Sequence, residues 1–122
     1  MAVEKFSFEA LPEDKVNDKI SRWMSVGQHM SVAKYVIKRG GVAPLHQHPN
    51  EQVTLMLQGR FRYTIDGKEI VLGPGEVVFI PPNAVHGVEA LEDAVAIDFS
   101  SPPRLDMQAG TDPVKKLSTG QS

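Results

Sequence analysis

The chain has 122 residues, which suffices for one domain with a single core. Its formal net charge is −2, so the composition gives no sign of a nucleic-acid or anionic-membrane partner. The absence of cysteine excludes disulfides, thiolate metal sites and cysteine nucleophiles, so any metal site must use histidine, carboxylate or amide ligands. No segment has the apolar length of a signal peptide or a membrane span, and a cytoplasmic location is therefore expected.

Short segments of alternating or β-branched residues, separated by Gly, Pro and Asn, run through most of the chain. Such segments are typical of β-strands joined by tight turns. In chain order the predicted strands cover residues 6–10, 31–38, 43–48, 52–58, 60–65, 68–72, 76–80, 85–90 and 93–100. Asp66-Gly67 between two of them predicts a two-residue hairpin. No long amphipathic helix interrupts the series, so the sequence predicts an all-β sandwich or barrel.

Two segments are polar and fall outside this pattern. Residues 11–23 are expected to form a loop, and residues 105–122 a flexible tail. A single domain is therefore expected over residues 1–104.

Two of the four histidines stand one residue apart. His46 and His48 would occupy positions i and i+2 of a predicted strand, so their side chains would point to one side. Gln52 begins the next predicted strand and can point to the same place if the two strands pair. His86 follows a proline-bounded turn and is a candidate fourth ligand. The spacing alone leaves a second interpretation open, in which the two neighbouring histidines are exposed residues at a strand end.

Two longer motifs extend this pattern. Residues 40–59 have the spacing G-x5-H-x-H-x3-Q-x6-G, and residues 75–90 have the spacing G-x5-P-x-N-x2-H-x3-A. Both resemble the two motifs of the cupin superfamily, which differ in having Glu at the position of Gln52, Gly at Asn83 and Asn at Ala90. The resemblance implies a cupin jelly-roll barrel that holds one divalent transition-metal ion (Zn, Ni, Fe or Mn).

Gln52 is the informative departure from the motif. Two histidines with one carboxylate suit an oxygen-activating Fe(II), whereas a neutral amide leaves the charge of the ion uncompensated. Such an ion is better suited to act as a Lewis acid on a substrate oxygen. Glu51 remains an alternative ligand, if the turn before it is longer than the motif indicates.

A narrower resemblance covers most of residues 20–104, in the stretches "ISRWMSVGQHMSVAKYVIKRGG", "PLHQHPNEQ" and "IPPNAVHGVEALEDAVAIDFSSPPR". These are similar to the KdgF-type cupins of pectin and alginate breakdown, which convert 4,5-unsaturated monouronates to the linear ketonised sugar acid. The resemblance implies that Asp98 transfers protons and that Arg104 binds the carboxylate of a small sugar acid. The family often has Phe where this chain has Ser100, next to Phe99.

Three further residues are candidates for the substrate pocket: Met56, Arg62 and Tyr63. Met56 shares its strand face with Gln52 and is expected to line the pocket. Tyr63 shares a face with apolar neighbours, which favours a core position as the alternative. Arg62 lies on the opposite face, either in solvent or at the edge of the cavity.

Two other functions remain open at this point. The first is a metal-dependent dioxygenase that acts on a small organic compound, and the second is a cupin that binds a sugar or a metal without catalysis. A homodimer is expected, in which residues 5–10 pack on the sheet of the partner and cover an exposed edge.

Overall fold

A computed structural model describes residues 2–118. Within this range the chain forms ten strands, two short α-helices and one turn of 3-10 helix at Phe8–Ala10. The strands are β1 (Asp14–Lys15), β2 (Ile20–Val26), β3 (Ser31–Ile37), β4 (Val42–His46), β5 (Glu51–Gln58), β6 (Phe61–Ile65), β7 (Lys68–Leu72), β8 (Val77–Ile80), β9 (His86–Ala90) and β10 (Ala94–Ser101). The helices are α1 (Leu105–Ala109) and α2 (Pro113–Ser118).

The strands form two antiparallel sheets, which confirms the all-β prediction. One sheet has the order β1-β2-β3-β10-β5-β8, and the other has the order β4-β9-β6-β7. Because side chains alternate across each strand, one face of each sheet can be buried and the other can meet solvent. β6 shows this pattern, since Phe61, Tyr63 and Ile65 are buried and join the core.

The inner face of β5 mixes polar and apolar side chains. Gln52, Thr54 and Met56 are all buried, while Leu57 on the other face is 46% exposed. The predicted alternation along this strand is therefore confirmed. Polar side chains on the inward face of a strand need hydrogen-bond partners inside the barrel. This strand therefore contributes to a polar region in the barrel interior, where a functional site can form.

Two predicted turns have the backbone that their residues favour. Asp66 and Gly67 both have positive φ, 47° and 81°, as a two-residue hairpin with a type I′ turn requires. Asn83 has a φ of 65°, so it takes the left-handed conformation for which the cupin motif usually has Gly.

Three predicted element boundaries were wrong. Residues 6–10 form no strand and contain the 3-10 turn, and residues 11–23 are a loop only in part because β1 and the first half of β2 lie there. The strand expected over residues 43–48 is β4, which ends at His46, so His48 lies in the following loop. His48 is buried all the same, because the loop folds back towards the barrel interior.

The segment after residue 104 differs from the flexible tail that its polarity predicts. It contains both α-helices, and Met107, Asp112 and Val114 are buried. Asp112 forms a two-bond ion pair with Arg22 of β2, with distances of 2.8 Å to Nη1 and 2.6 Å to Nη2. Val114 belongs to the same core cluster as the sheet residues. Residues 119–122 of the predicted tail lie outside the described residues.

The two helices are also far too short to cross a bilayer, and no helix in residues 2–118 has the length and apolar character for that.

Candidate metal centre

Three imidazoles meet inside the barrel. His46 ends β4 and His86 begins β9, and the two residues face each other in the antiparallel register of these strands. His48 reaches the same place from the loop after β4. One ring nitrogen from each histidine lies within 4.8 Å of one from each of the others. The sequence therefore identified three side chains that the fold brings together.

The backbone fixes which nitrogen of each ring faces the centre. Nδ1 of His46 lies 2.7 Å from the carbonyl oxygen of Pro44, and Nδ1 of His86 lies 2.8 Å from that of Ala84. A carbonyl oxygen only accepts, so each Nδ1 carries the proton and each Nε2 keeps a free lone pair. This is the arrangement that metal-binding histidines usually have.

Burial keeps these imidazoles neutral. Loss of solvent lowers the pKa of His46 to about 4 and that of His48 to about 4, and it lowers the pKa of His86 as well. A neutral imidazole is the form that binds a metal ion. At neutral pH all three rings are therefore ready to act as ligands.

One buried atom has no partner within the described residues. Nε2 of His86 is buried and makes no hydrogen bond to the protein. A buried polar nitrogen without a partner is costly, and such groups usually have a functional explanation. A cation bound between the three rings would satisfy this nitrogen.

Gln52 supplies a fourth atom at the same centre. Its Oε1 lies 3.1 Å from Nε2 of His48, while Nδ1 of His48 lies 3.1 Å from the carbonyl oxygen of Asn50. Both ring nitrogens of His48 therefore face an oxygen acceptor, and a neutral ring can donate to only one of them. The tautomer with its proton on Nδ1 would turn a lone pair of Nε2 towards the amide oxygen. Two acceptors at this distance repel each other unless a cation lies between them. A cation bound at this centre would satisfy both atoms.

Glu51 points to the opposite face of β5 from Gln52. It is exposed, while Gln52 next to it is only 5% exposed. Neighbouring residues of a strand point to opposite faces, so the structure places the amide and not the carboxylate at the centre.

The orientation of the Gln52 amide is set by a network of polar groups. Its Nε2 donates to Oγ1 of Thr54 and to Oδ2 of Asp98, both at 3.1 Å. Thr54 in turn donates to Oδ1 of Asp98 at 2.6 Å, and the hydroxyl of Tyr63 donates to Thr54 at 3.2 Å. Because an ionised carboxylate only accepts, the amide must turn its NH2 group to Asp98 and its oxygen to the histidines.

Asp98 lies next to the proposed ligands, directly opposite Thr54 in the register of β10 and β5. Burial raises the pKa of its carboxyl group to about 6, although the hydrogen bond from Thr54 and the charge of Arg104 act in the opposite direction.

A cavity of about 510 Å³, which includes the open space at its mouth, lies beside these groups. The polar residues of its wall are Tyr35, His46, Gln52, Tyr63, His86, Asp98 and Arg104. Tyr35 and Thr54 were not among the residues singled out from the sequence. Thr54 could have been found, because it lies two positions after Gln52 on the same strand face; Tyr35 gave no such signal.

Arg104 is buried and not at the surface. Its Nε and Nη2 donate to the two carboxylate oxygens of Asp106 at 2.9 and 3.0 Å, and its backbone N–H donates to Ser31. The guanidinium thus has a fixed position on the wall of the cavity.

Two of the candidate pocket residues, Arg62 and Met56, do not line this cavity. Arg62 points away from the cavity, where it pairs with Glu89 at 2.8 Å, because it alternates with the inward-facing Tyr63. Met56 faces inward but is fully buried in the core cluster, too deep to line the cavity.

The two residues after Asp98 on β10 point to opposite faces of the sheet. Ser100 is buried on the Asp98 side of β10 and pairs with Gln52, whereas Phe99 pairs with Val53 on the other face. Phe99 therefore points to the opposite face of β10 from Ser100 and Asp98.

Comparisons with known proteins agree with this geometry. The family model of the cupin domain matches residues 33–99. The chain is 32% identical to the pectin degradation protein KdgF of Dickeya dadantii over 95 residues, which are 76% of this chain and 84% of that protein. The structure of KdgF from Halomonas sp. superimposes with a TM-score of 0.81 at 29% identity, and the match covers 87% of this chain and 99% of that one.

A more distant relative is the H2HPP isomerase of Bacillus subtilis, which is 26% identical over 100 residues. The match covers 80% of this chain but only 40% of that protein. With the two-sheet barrel and the convergent histidines, these matches show that the chain belongs to the cupin family and is similar to the KdgF proteins within it.

Proposed function

We propose that the chain is an enzyme that binds one divalent transition-metal ion and opens 4,5-unsaturated monouronates to the linear ketonised sugar acid. The proposed ligands are Nε2 of the three histidines and Oε1 of the glutamine: His46, His48, His86 and Gln52. Zn, Ni, Fe and Mn all accept imidazole and amide ligands. A bound ion would supply Lewis-acid polarisation of a substrate oxygen.

The observation that carries this proposal is the placement of Asp98 and Arg104 around the histidine cluster. Both line the same cavity as His46 and His86. An anionic sugar needs a cationic contact for its carboxylate, and a proton shift within it needs an acid-base group nearby. Arg104 provides the cationic contact and Asp98 provides the acid-base group, and both lie next to the candidate metal ligands.

The conversion is an isomerisation, so it needs no oxidant and no second substrate. Asp98 would accept the proton of the anomeric hydroxyl as the bond between the anomeric carbon and the ring oxygen breaks, which leaves an aldehyde at C1 and an enolate at C5. It would then return the proton to C4 as the enolate becomes a ketone. Its two hydrogen bonds from Thr54 and Gln52 keep its carboxylate beside the cavity during this exchange.

Arg104 would bind the carboxylate of the sugar. Its pairing with Asp106 uses Nε and Nη2, which leaves Nη1 as the end of the guanidinium that a ligand can reach. Tyr63 would border the same space, since it is buried and lines the cavity.

The names of two relatives support a reaction of this class. One relative is called a pectin degradation protein, which fits a sugar acid derived from pectin. The other is called an isomerase, which fits a rearrangement without a co-substrate.

The test is direct incubation of the purified, metal-loaded protein with an unsaturated galacturonate or guluronate monomer. The protein is expected to accelerate the loss of the ultraviolet absorbance of the unsaturated sugar. His48→Ala is expected to abolish this acceleration. Oxygen uptake with another substrate would instead indicate a dioxygenase. Saturable binding of the uronate without conversion would indicate a binding protein, and both results would contradict the proposal.

We also propose a homodimer formed through the outer face of the six-stranded sheet. Val32, Phe99, Val53 and Phe79 lie side by side in one row across β3, β10, β5 and β8. Phe79 is 67% exposed in the single chain. A continuous apolar row of this kind indicates an interaction surface. When the same row of a second copy packs against it, the two copies form a dimer with two-fold symmetry. The cytoplasmic location expected from the sequence remains a prediction.

A further inference from the structure

Thr54 occupies an unusual place for a hydroxyl group. It lies in the middle of β5, is 0% exposed, and has the buried apolar residue Met56 on the same strand face. A hydroxyl in such surroundings destabilises the fold unless its hydrogen-bonding capacity is used. The neighbours of this hydroxyl therefore show what it does.

All of that capacity is used, and each bond has a defined direction. A hydroxyl has one proton to donate and two lone pairs that accept. The proton goes to Oδ1 of Asp98 at 2.6 Å. The two lone pairs receive Nε2–H of Gln52 at 3.1 Å and the hydroxyl proton of Tyr63 at 3.2 Å. Because Tyr63 belongs to the other sheet, the hydroxyl of Thr54 also joins the two walls of the cavity.

The amide of Gln52 is held at both of its N–H groups. One can donate to Thr54 and the other to Oδ2 of Asp98. Rotation of the amide about its last bond would break both contacts, so Oε1 stays towards Nε2 of His48.

We propose that Thr54 is a positioning residue of the metal centre, whose hydroxyl fixes the amide of Gln52 and the carboxylate of Asp98 relative to each other. This inference rests on the proposed metal site and goes beyond it, since Thr54 touches neither metal nor substrate. Its role is to hold one ligand and one acid-base group in a single arrangement. Groups that orient ligands in this way typically change metal affinity about 10–100-fold when they are removed.

Thr54→Val removes the hydroxyl and keeps the shape of the side chain. One N–H of Gln52 and the hydroxyl of Tyr63 then have no acceptor at this position, and Asp98 loses its shortest hydrogen bond. Metal affinity, measured by competition with a chelator of known strength, is expected to fall about 10-fold or more. Thr54→Ser keeps the hydroxyl and is expected to bind the metal as tightly as the parent does.

Leu72→Val is the control for loss of stability, because Leu72 is buried in the core on β7 and has no place in the metal centre. It is expected to lower the melting temperature without changing metal affinity. If Thr54→Val does not fold, Thr54→Ala gives the same measurement with a smaller side chain.

In the uronate assay, Thr54→Val is expected to lower kcat more than it changes KM, because Asp98 is displaced while Arg104 is not. Parental metal affinity in Thr54→Val overturns the inference, as does an equal loss in Thr54→Ser or in Leu72→Val. A parent that binds metal but converts no uronate contradicts the proposed function alone, since the affinities still test Thr54. A parent that binds no divalent ion overturns both.

Discussion

Gln52 performs a task that the more common glutamate could not. Its oxygen faces the histidines while its nitrogen donates to Asp98. A carboxylate at position 52 would have no proton to donate and would repel Asp98. The departure from the usual cupin motif is therefore explained by the acidic residue on the neighbouring strand.

Gln52→Glu is expected to strengthen divalent metal binding, because a charged ligand replaces a neutral one, and to lower kcat about tenfold or more through the displacement of Asp98. Chelator competition and steady-state kinetics on the uronate measure the two effects. Gln58→Glu is a matched control, since Gln58 is an exposed residue on the same strand. An unchanged kcat in Gln52→Glu would contradict the role given to the amide.

The two tyrosines of the chain give a residue-scale prediction about pH. Burial raises the pKa of Tyr35 to about 12 and raises that of Tyr63 well above its ordinary value. An unfolded chain ionises its tyrosines at about pH 10. The contribution of the two buried tyrosines to folding stability is therefore present below that pH and is lost as the pH rises towards 12.

Tyrosinate absorbance, followed against pH, tests this directly. The folded protein is expected to show almost none near pH ~10, and the denatured protein is expected to show both tyrosines titrating there. Ordinary titration of either tyrosine in the folded protein would place that side chain in contact with water.

The candidate ligands could be predicted because their types and spacing are rare in combination. The spacing of His46 and His48 alone leaves an exposed pair possible, and it is the two longer motifs, at residues 40–59 and 75–90, that single out the histidines together with Gln52. The polar groups behind them are harder to predict. Thr54 shares the strand face of Gln52, but its partners on other strands depend on strand register, and Tyr35 gives no signal in the sequence. Strand alternation does predict the direction of Arg62, because Arg62 and Tyr63 are neighbours on one strand and point to opposite faces.

At the scale of the elements, the C-terminal segment is anchored by a buried ion pair although its sequence is polar. Asp112 is 90 positions from Arg22, and the two side chains are fully buried against each other. Asp14, the hydroxyl of Tyr35 and the backbone N–H of Lys115 make further polar contacts with this pair. A charged residue in a sequence predicts exposure unless its partner is known, and a partner this distant leaves no local pattern.

Asp112→Ala is expected to destabilise the protein by about 3–5 kcal/mol, because it leaves the charge of Arg22 buried with its main partner removed. Urea denaturation measures this loss. Glu92→Ala removes an exposed pair with Arg60, whose side chains are 53% and 51% exposed, and is expected to change stability by less than about 1 kcal/mol. Equal effects of the two substitutions would show that the C-terminal segment is not anchored through Asp112.

At the scale of the whole molecule, alternating segments and turn residues predict an all-β sandwich or barrel, but they do not predict the strand order or the outer surfaces. The apolar row that ends at Phe79 becomes visible only when four strands are placed side by side. Sedimentation velocity is expected to give the mass of two chains for the parent and of one chain for Phe79→Glu.

Val71→Glu is the control for that substitution, since Val71 is 51% exposed on β7 of the other sheet. It is expected to remain dimeric. A monomeric parent would remove the dimer from consideration and leave the metal centre untouched.

The proposed chemistry depends on a single ion bound between the three imidazoles and the amide. Metal content per chain, measured by mass spectrometry after reconstitution and removal of free ion, tests this most directly. One equivalent is expected in the parent and in His29→Ala, where an exposed histidine is lost, and far less in His86→Ala. Equal metal content in His86→Ala and the parent would contradict it.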